Sequence, residues 1–256
     1  MQLHLKDKTA LVTGSHRGTG SVIAATLEKE GCQLISHAIN EVDRSEHGYS
    51  VWGDLATVAG CEQVLEQIAA TDLNVDILVN NYGTADRHNW QDTDTDKWLQ
   101  MYELNVLSAA RMAQGLTPGM RERGWGRVIN LGTIGSHQPN SIMPAYYAAK
   151  GALATLGVSL ALELANTGIT VNTVSPGYVR TDEVEAGYTA RARKRGLSED
   201  WDEVQKMIVE TDFPNPCGRI AEREEVADLV AFLVSTRAGF INGQNIRIDG
   251  GAVRYV

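Results

Sequence analysis

The sequence predicts an α/β fold in which a doubly wound parallel sheet carries helices on both faces. Short apolar runs alternate with longer helix-like segments along the 256-residue chain, and continuous apolar runs are typical of parallel strands buried on both faces. Right-handed crossovers between such strands give the doubly wound arrangement. Seven runs predict a seven-stranded sheet: residues 9–13, 33–37, 50–53, 76–80, 127–131, 170–174 and 245–248.

Helical segments fill the intervals between these runs. They are predicted to begin near Gly18, Thr57, Thr95, Pro144, Asp182 and Glu222. Pro144 suits a first helical turn, where its missing N–H is not needed. No linker or repeat divides the chain, so residues 1–256 are expected to form a single domain. Residues 181–219 are polar, contain two prolines and break the alternation, which predicts an inserted substrate lid.

The composition disfavours several classes of function. The net charge of -9 argues against a nucleic-acid partner, because such a surface needs a positive excess. No run approaches the roughly 20 apolar residues of a membrane span, and the N-terminus lacks a signal-peptide pattern. A cytoplasmic protein without membrane contact is expected, and the spacing of Cys and His residues predicts no metal site.

A glycine-rich turn follows the first predicted strand and precedes an apolar helical run. Residues 13–20 read TGSHRGTG. Glycines here let the backbone approach a pyrophosphate, which the amides at the N-terminus of the next helix then bind. The flanking strand and helix favour a dinucleotide site, with an ordinary tight turn as the alternative.

The TGxxxGxG spacing resembles that of the short-chain dehydrogenase/reductase family. Further matches are NNYG at residues 80–83, where the family has NNAG, SPG at 175–177, GQ at 243–244 and DGG at 249–251. The resemblance implies a Rossmann fold and an oxidoreductase that moves a hydride between NAD(P) and a carbonyl or secondary alcohol. Tyr82 departs from the small residue that the family has there.

The resemblance also implies which residues contact the cofactor. They are Gly14, Ser15, Arg17, Gly18, Thr19, Gly20, Ala38, Asp54, Leu55, Asn80, Tyr82, Gly83, Tyr146, Lys150, Pro176, Gly177, Val179 and Thr181. Among them, Asp54 and Leu55 would lie beside the adenine and Asn80 near its ribose. The alternative for the small and polar residues of this set is turn chemistry.

The choice between NAD(H) and NADP(H) depends on the end of the second strand. An acidic side chain there would bind a ribose 2′-hydroxyl and repel a 2′-phosphate. Residues 36–40 read SHAIN, without an acid, and Arg17 could pair with the phosphate. NADP(H) is therefore favoured. NAD(H) stays open, because Ile39 is not a second basic residue and Arg17 could be a solvated loop cation.

Tyr146 and Lys150 lie four residues apart on a predicted helix, so both side chains emerge from one face. Hydride addition builds negative charge on a carbonyl oxygen, and a phenol with an ordinary pKa of about 10 can supply the proton. A nearby ammonium is expected to lower that pKa. The resemblance gives Tyr146 the acid/base role and lets Lys150 also orient the nicotinamide ribose.

Thr133 precedes Tyr146 by thirteen residues, where the family usually has a serine. Its hydroxyl could hold the substrate oxygen. Ser136 is the alternative residue for this role, and a strand-end hydroxyl bonded to its own backbone is the alternative role for Thr133. Asn105 matches the asparagine that completes the family's catalytic set, and its low helix propensity at a mid-helix position favours that role.

Substrate contacts are expected from Thr133, His137, Tyr146 and Tyr178. Further candidates, each with a core or loop role as the alternative, are Trp90, Gln138, Tyr147, Tyr188 and Phe213. Residues 191–195 read RARKR, which could attract an anionic substrate or form a solvated helix face.

Two substrate classes and one rival function stay open. The enzyme could be a dehydrogenase of sugars or small alcohols, or a reductase of 3-oxoacyl thioesters, and the fold does not separate them. A non-catalytic module that senses NADP(H) is the rival, which the acid/base set disfavours. The resemblance further implies a homo-oligomer, a dimer or tetramer, formed through the helices near Asn105 and Pro144.

Overall fold

The computed structural model describes residues 2–43 and 48–255. Within them, seven strands form one parallel sheet in the order β3-β2-β1-β4-β5-β6-β7, which confirms the predicted seven-stranded parallel fold. The strands are β1 Thr9–Val12, β2 Gln33–Ala38, β3 Tyr49–Trp52, β4 Ile77–Asn80, β5 Gly126–Leu131, β6 Ile169–Pro176 and β7 Asn245–Ile248. The chain winds outward from β1 in both directions, so the carboxyl ends of all strands lie along one edge. The predicted domain of residues 1–256 includes residues 1, 44–47 and 256, which lie outside the described residues.

Eight α-helices surround the sheet in this part of the chain. They are α1 Gly18–Lys29, α2 Val58–Ala69, α3 Thr95–Tyr102, α4 Ser108–Glu122, α5 Pro144–Glu163, α6 Asp182–Lys194, α7 Trp201–Thr211 and α8 Arg223–Val234. Thr57 caps α2 by accepting a hydrogen bond from Gly60 N at 3.0 Å, and Glu222 forms a capping box with Glu225 at the start of α8. None of the helices in the described ranges is both long and apolar enough to cross a membrane.

The two faces of the sheet bury separate apolar layers. Successive side chains of a strand point to opposite faces, and Ala10 accordingly packs with Ile23 of α1 and Val230 of α8. Leu11 faces the other way, into a layer that contains Met112 of α4. Both layers are fully buried at these positions, so helices cover the sheet on each side as the sequence predicts.

The sequence did not indicate two of the helices. No capping residue in the sequence marks the start of α4, because a π-helical turn, Glu103–Leu107, joins this helix to α3. The other helix, α7, lies inside the excursion at residues 181–219, where Asp200 caps it by accepting a hydrogen bond from Asp202 N at 3.1 Å. Together α6 and α7 enclose a small apolar cluster that includes Val204 and Ile208. The sequence does carry a signal for α7: the capping Asp200 is followed by the apolar residues Val204 and Ile208, which are four residues apart.

Candidate active site

Two cavities lie at the carboxyl edge of the sheet. The first has a volume of about 220 Å³ and is bordered by the glycine turn and the ends of β5 and β6. The second has a volume of about 490 Å³ and extends beneath the segment after β6. Tyr146, Val179 and Ala85 border both cavities. In open α/β sheets, this edge is where ligands bind.

The glycine turn adopts the conformation that its spacing predicts. Gly14 and Gly18 have φ angles of +65° and +62°, which favour glycine. A Cβ atom on Gly20 would lie 2.3 Å from the Asn81 amide nitrogen and 2.5 Å from the Gly14 carbonyl oxygen. The turn and the end of β4 therefore approach each other more closely than a side chain would allow.

His37 holds this turn in place, a role that the sequence did not reveal. Its Nδ1 accepts a hydrogen bond from Gly14 N at 2.9 Å, and its Nε2 lies 2.9 Å from Gly53 O. Because Nδ1 accepts, Nε2 carries the proton and donates it. The backbone N of His37 also donates to Ser15 Oγ at 2.9 Å. Burial lowers the pKa of His37 to about 4, so the ring is neutral.

The N-terminus of α1 presents Arg17 and Thr19. Arg17 is exposed and immediately precedes the helix; its guanidinium makes no ion pair with any described residue. Thr19 borders the smaller cavity. Ala38, buried at the end of β2, leaves no acidic side chain at that position. A cation without an ion pair among the described residues therefore lies at the mouth of the glycine turn.

Tyr82 fills space that a small residue would leave open. Its hydroxyl donates to Asp54 Oδ1 at 2.6 Å, and its ring meets the His37 ring edge-on at 6.0 Å. Burial and the Asp54 carboxylate raise the pKa of Tyr82. The Leu55 side chain is buried in the core, so any contact that this residue makes with a ligand falls to its backbone.

Asn81, rather than Asn80, presents its side chain to the cavity. Asn80 is the last residue of β4, and its amide is buried between strands, donating to Asn130 Oδ1 at 2.9 Å. Asn81 donates to Thr13 O at 2.9 Å and borders the smaller cavity beside Gly83. The side chain of Asn80 is thus engaged within the sheet, and a place for this residue near the adenosine ribose stays a prediction that its backbone would have to meet.

Tyr146 and Lys150 converge on the smaller cavity from α5. The Lys150 ammonium lies 5.9 Å from the centre of the Tyr146 ring and donates to Leu131 O, at the end of β5, at 2.7 Å. Thr133 Oγ1 accepts a hydrogen bond from Gly135 N at 3.2 Å, and Thr133 borders the larger cavity together with Tyr146. Ser136 instead donates to Thr133 O at 2.7 Å, so its hydroxyl is already engaged.

Burial dominates the protonation equilibria of this pair. It raises the pKa of Tyr146 to about 12 and lowers the pKa of Lys150 to about 8, because each charged form loses solvation. The expected lowering of the phenol pKa by the ammonium was wrong for this arrangement, in which the ammonium is turned toward the Leu131 carbonyl. The phenol is therefore protonated across the neutral range.

Asn105 lies in the π-helical turn between α3 and α4. Its Nδ2 donates to Thr84 O at 3.0 Å and to Met101 O at 3.1 Å. Its Oδ1 is buried and has no partner among the described residues. A Cβ on Gly83 would lie 2.5 Å from that oxygen. The π-helical turn thus places Asn105 Oδ1, a hydrogen-bond acceptor, at the cavity wall. Such turns are frequent at functional sites.

The last residue of β6 and the residues that follow it border both cavities. Pro176 borders the smaller cavity, Gly177 the larger one, and Val179 both. Thr181 caps α6 by accepting a hydrogen bond from Val184 N at 3.2 Å. Its hydroxyl is therefore engaged in the helix cap rather than placed on a cavity wall.

The larger cavity gathers most of the predicted substrate residues. Gln138, Tyr147, Tyr178 and Phe213 line it. His137 is not among the lining residues. Its Nε2 is paired with the Asn245 amide on β7 at 3.0 Å, and its role as a substrate contact stays a prediction. Trp90 also lies elsewhere, exposed and packed against Trp98. Tyr188 stands behind Tyr178, with ring centres 6.2 Å apart.

Acidic partners neutralise much of the basic run at residues 191–195. Arg191 pairs with Asp212, and Arg193 donates to Glu199 with an Nε–Oε1 distance of 2.8 Å. The run therefore carries less free positive charge than its sequence indicates, and Asp212 itself borders the larger cavity.

Known proteins resemble this chain over nearly its whole length. Residues 14–253 match the model of a family described as enoyl-(acyl carrier protein) reductase. The chain is 33% identical to the 3-oxoacyl-(acyl-carrier-protein) reductase FabG of Salmonella typhimurium over 97% of this chain and 98% of that protein. L-sorbose reductase from Gluconobacter frateurii, solved with NADPH and L-sorbose, has a TM-score of 0.93 and 31% identity over 100% of both chains. A gluconate 5-dehydrogenase from Burkholderia cenocepacia, solved with NADP and tartrate, has a TM-score of 0.87 and 26% identity over 100% and 98% of the two chains.

The close approach at Gly20 predicts a defined cost of substitution. Gly20→Ala should lower the free energy of unfolding by about 1–3 kcal/mol, because backbone atoms must move to admit the methyl group. Gly187→Ala is the matched control: its site in α6 has nothing within 4 Å, so the change should raise stability by about 0.5–1 kcal/mol. Urea unfolding of both variants measures the difference. Equal effects would contradict the tight packing of the turn.

Proposed function

Because the chain belongs to the short-chain dehydrogenase/reductase family, we propose that it transfers a hydride between a nicotinamide cofactor and a carbonyl or secondary alcohol. One observation carries the proposal: Tyr146, Lys150 and Asn105 converge on one cavity beside the glycine turn. A phenol, an ammonium and an amide oxygen without a partner in the described part of the chain form an acid/base set at this edge. A module that only binds a dinucleotide has no need of such a set.

The residues present fit NADP(H). Gly20 and Gly83 leave room where a Cβ would collide, so a pyrophosphate and ribose can approach the backbone. Arg17 offers a guanidinium that makes no ion pair with the residues the structure describes, and Ala38 leaves no acid at its position to repel a 2′-phosphate. Two structural relatives were solved with NADPH or NADP, which supports the same choice here. When bound, the nicotinamide supplies or accepts the hydride.

The roles of the side chains follow from their chemistry. In reduction, Tyr146 Oη donates its proton to the carbonyl oxygen, and its raised pKa keeps that proton in place until charge develops. Thr133 donates a hydrogen bond to the same oxygen and fixes its position. The Lys150 ammonium would hold the nicotinamide ribose hydroxyls, and Asn105 Oδ1 accepts a hydrogen bond in the path by which the proton is replaced.

The larger cavity favours a polyhydroxylated substrate. Phenol, amide and carboxylate groups of Gln138, Asn140, Tyr147, Tyr178 and Asp212 border it, and such groups bind hydroxyls. The pairing of Arg191 with Asp212 offsets the cation of the basic run that lies beside this cavity, which disfavours an anionic carrier there. A sugar or small-alcohol dehydrogenase is therefore the first candidate. The similarity to FabG keeps a 3-oxoacyl thioester reductase as the second.

Residues 181–219 act as the lid of this cleft in our proposal. They contain α6, α7 and Phe213, which lines the larger cavity. Their apolar cluster is separate from the two layers of the sheet. A segment with its own small core can move as a unit when substrate binds.

Replacing the phenol tests the proposed function. Tyr146→Phe should lower kcat about 10²- to 10⁴-fold, the usual contribution of a positioned acid. The Kd for NADPH, measured by fluorescence titration, should change less than about twofold. Tyr102→Phe, at an exposed tyrosine at the end of α3, is the control and should keep full activity. Unchanged turnover in Tyr146→Phe would refute the mechanism, and NADPH binding without turnover of any carbonyl by the unmodified protein would favour the sensor.

The rate of reduction should depend on pH through Lys150. A base is charged below its pKa, so Lys150 loses its charge as the pH rises through about 8, whereas Tyr146 stays protonated up to about 12. We expect kcat/KM for reduction to be constant below the pKa of Lys150 and to fall up to tenfold per pH unit above it. Lys150→Arg keeps the charge at all these values and should remove the decline. A decline that persists in this variant would assign the titration to another group.

A homo-oligomer formed through α4 and α5 completes the proposal. A groove of about 680 Å³ runs between these helices, and beside it Leu162 is 74% and Val158 44% exposed. We expect light scattering to give a multiple of the 27.8 kDa chain mass. Leu162→Glu should reduce it to the monomer, because a charge would be buried in the interface. Leu197→Glu, at an exposed leucine after α6, is the control, and a monomeric unmodified protein would refute this part.

A further inference from the structure

A hydrogen bond joins the segment after β4 to the segment after β3. Tyr82 follows β4 by two residues and Asp54 follows β3 by two residues. The Tyr82 hydroxyl donates to Asp54 Oδ1 at 2.6 Å. In the sheet, β2 and β1 lie between these two strands, so the bond reaches across the carboxyl ends of both. This is the edge at which a ligand of the glycine turn is expected.

The position of the Tyr82 side chain is closely defined. Its backbone N donates to Thr13 Oγ1 at 2.9 Å, and its ring meets the His37 ring edge-on with centres 6.0 Å apart. The ring also packs against the apolar layer that contains Leu55 and Cys61. Because both the backbone and the ring are held, the phenol directs its one proton to a fixed place. A small side chain at this position could not reach Asp54.

Asp54 receives a second hydrogen bond on the same oxygen. Ala56 N donates to Asp54 Oδ1 at 3.0 Å, and the backbone O of Asp54 accepts from Thr57 Oγ1 at 2.9 Å. Two donors on Oδ1 define the orientation of the carboxylate, and Oδ2 is then the oxygen that it offers to a ligand. Asp54 is exposed, so a ligand in the cleft can reach that oxygen.

The place of Asp54 in the fold suits the adenosine half of the cofactor. Tyr146 and Lys150 border the cavity at the ends of β4, β5 and β6, where the nicotinamide half belongs. With the pyrophosphate at the glycine turn, the other half extends toward β2 and β3. Gly53, which precedes Asp54, donates its backbone N–H to Ala38 O at the end of β2 at 3.1 Å. Asp54 therefore lies beside the strand end that determines the choice of cofactor.

We propose that Tyr82 fixes the Asp54 carboxylate as the hydrogen-bond acceptor that selects the base of the cofactor, so that the protein distinguishes adenine from hypoxanthine. Adenine carries an amino group, a donor, where hypoxanthine carries a carbonyl oxygen, an acceptor. Asp54 is then a binding residue, and Tyr82 is a positioning residue that acts through it. The inference rests on the proposed function and adds a determinant that a small residue in place of Tyr82 could not supply.

A fixed carboxylate distinguishes the two bases better than a mobile one. Hypoxanthine has an N–H donor next to its carbonyl oxygen, and a carboxylate that is free to turn could accept from that neighbouring group. The hydrogen bond from Tyr82 opposes this rotation. The carboxylate oxygen is then held against the carbonyl oxygen of hypoxanthine, which is unfavourable because neither group can donate.

Two reduced cofactors that differ only in the base test the proposal. NADPH and its deaminated analogue, in which hypoxanthine replaces adenine, share the fluorescent dihydronicotinamide, so fluorescence titration gives both Kd values without turnover. We expect the unmodified protein to bind NADPH about tenfold more tightly than the analogue. In Tyr82→Phe the ring remains and the donor is lost, so this preference should fall to about twofold.

The variant Asp54→Asn should reverse the preference, and the reversal should depend on Tyr82. Tyr82 and Ala56 N both donate, so they hold the amide oxygen and turn the amide nitrogen toward the ligand. That donor opposes the amino group of adenine and matches the carbonyl oxygen of hypoxanthine. We expect Asp54→Asn to bind the analogue about threefold more tightly than NADPH. Adding Tyr82→Phe should bring the ratio of the two Kd values close to one.

A control and three results decide the inference. Tyr49→Phe, at an exposed tyrosine at the start of β3, is the matched control and should keep the preference of the unmodified protein. A merely structural role for Tyr82 would change both Kd values by the same factor in Tyr82→Phe, and this constant ratio would overturn the inference. Equal Kd values in the unmodified protein would also overturn it, as would Asp54→Asn that still prefers NADPH.

The outcomes separate this inference from the function on which it rests. If neither cofactor binds to the unmodified protein, the proposed function fails and the inference fails with it. If NADPH binds and supports reduction of a carbonyl, but the two bases are bound equally well, the inference alone is overturned.

Discussion

The buried ammonium of Lys150 is the constraint on which the rest of the site depends. Burying an ammonium costs several kcal/mol unless hydrogen bonds replace water, and its hydrogen bond with the Leu131 carbonyl, at the end of β5, provides that replacement. The bond fixes α5 against the carboxyl edge of the sheet. Tyr146, one helical turn earlier, is then held at the border of both cavities. A helix shifted by one residue would leave the charge without a partner.

A second buried base organises the other half of the cleft by remaining neutral. His37 joins Gly14 and Gly53 through its two ring nitrogens, which requires one nitrogen to accept and the other to donate. A charged imidazole has two donors, so protonation would break the bond to Gly14 N. Burial opposes that charge. The glycine turn is thus supported by a side chain that has no need to touch a ligand.

The sequence predicted the parts of the site that depend on local spacing. The helical interval between Tyr146 and Lys150 and the glycine spacing after β1 are of this kind, because short-range geometry determines which side chains share a face. Contacts between distant parts of the chain have no such local signal. The Asn80 amide is bonded to Asn130 on the neighbouring strand, and His137 is paired with Asn245 across 108 residues of sequence. Neither the role of His37 nor the raised pKa of Tyr146 has a local signal.

Polar groups as well as an apolar cluster hold the lid segment together. Arg191 of α6 pairs with Asp212, which directly follows α7, and Asp212 borders the larger cavity. Because exposed ion pairs contribute little free energy, this pair matters less for stability than for the position of the carboxylate. In our proposal that carboxylate gives the cavity a group that only accepts hydrogen bonds, which an apolar wall could not provide to a substrate hydroxyl.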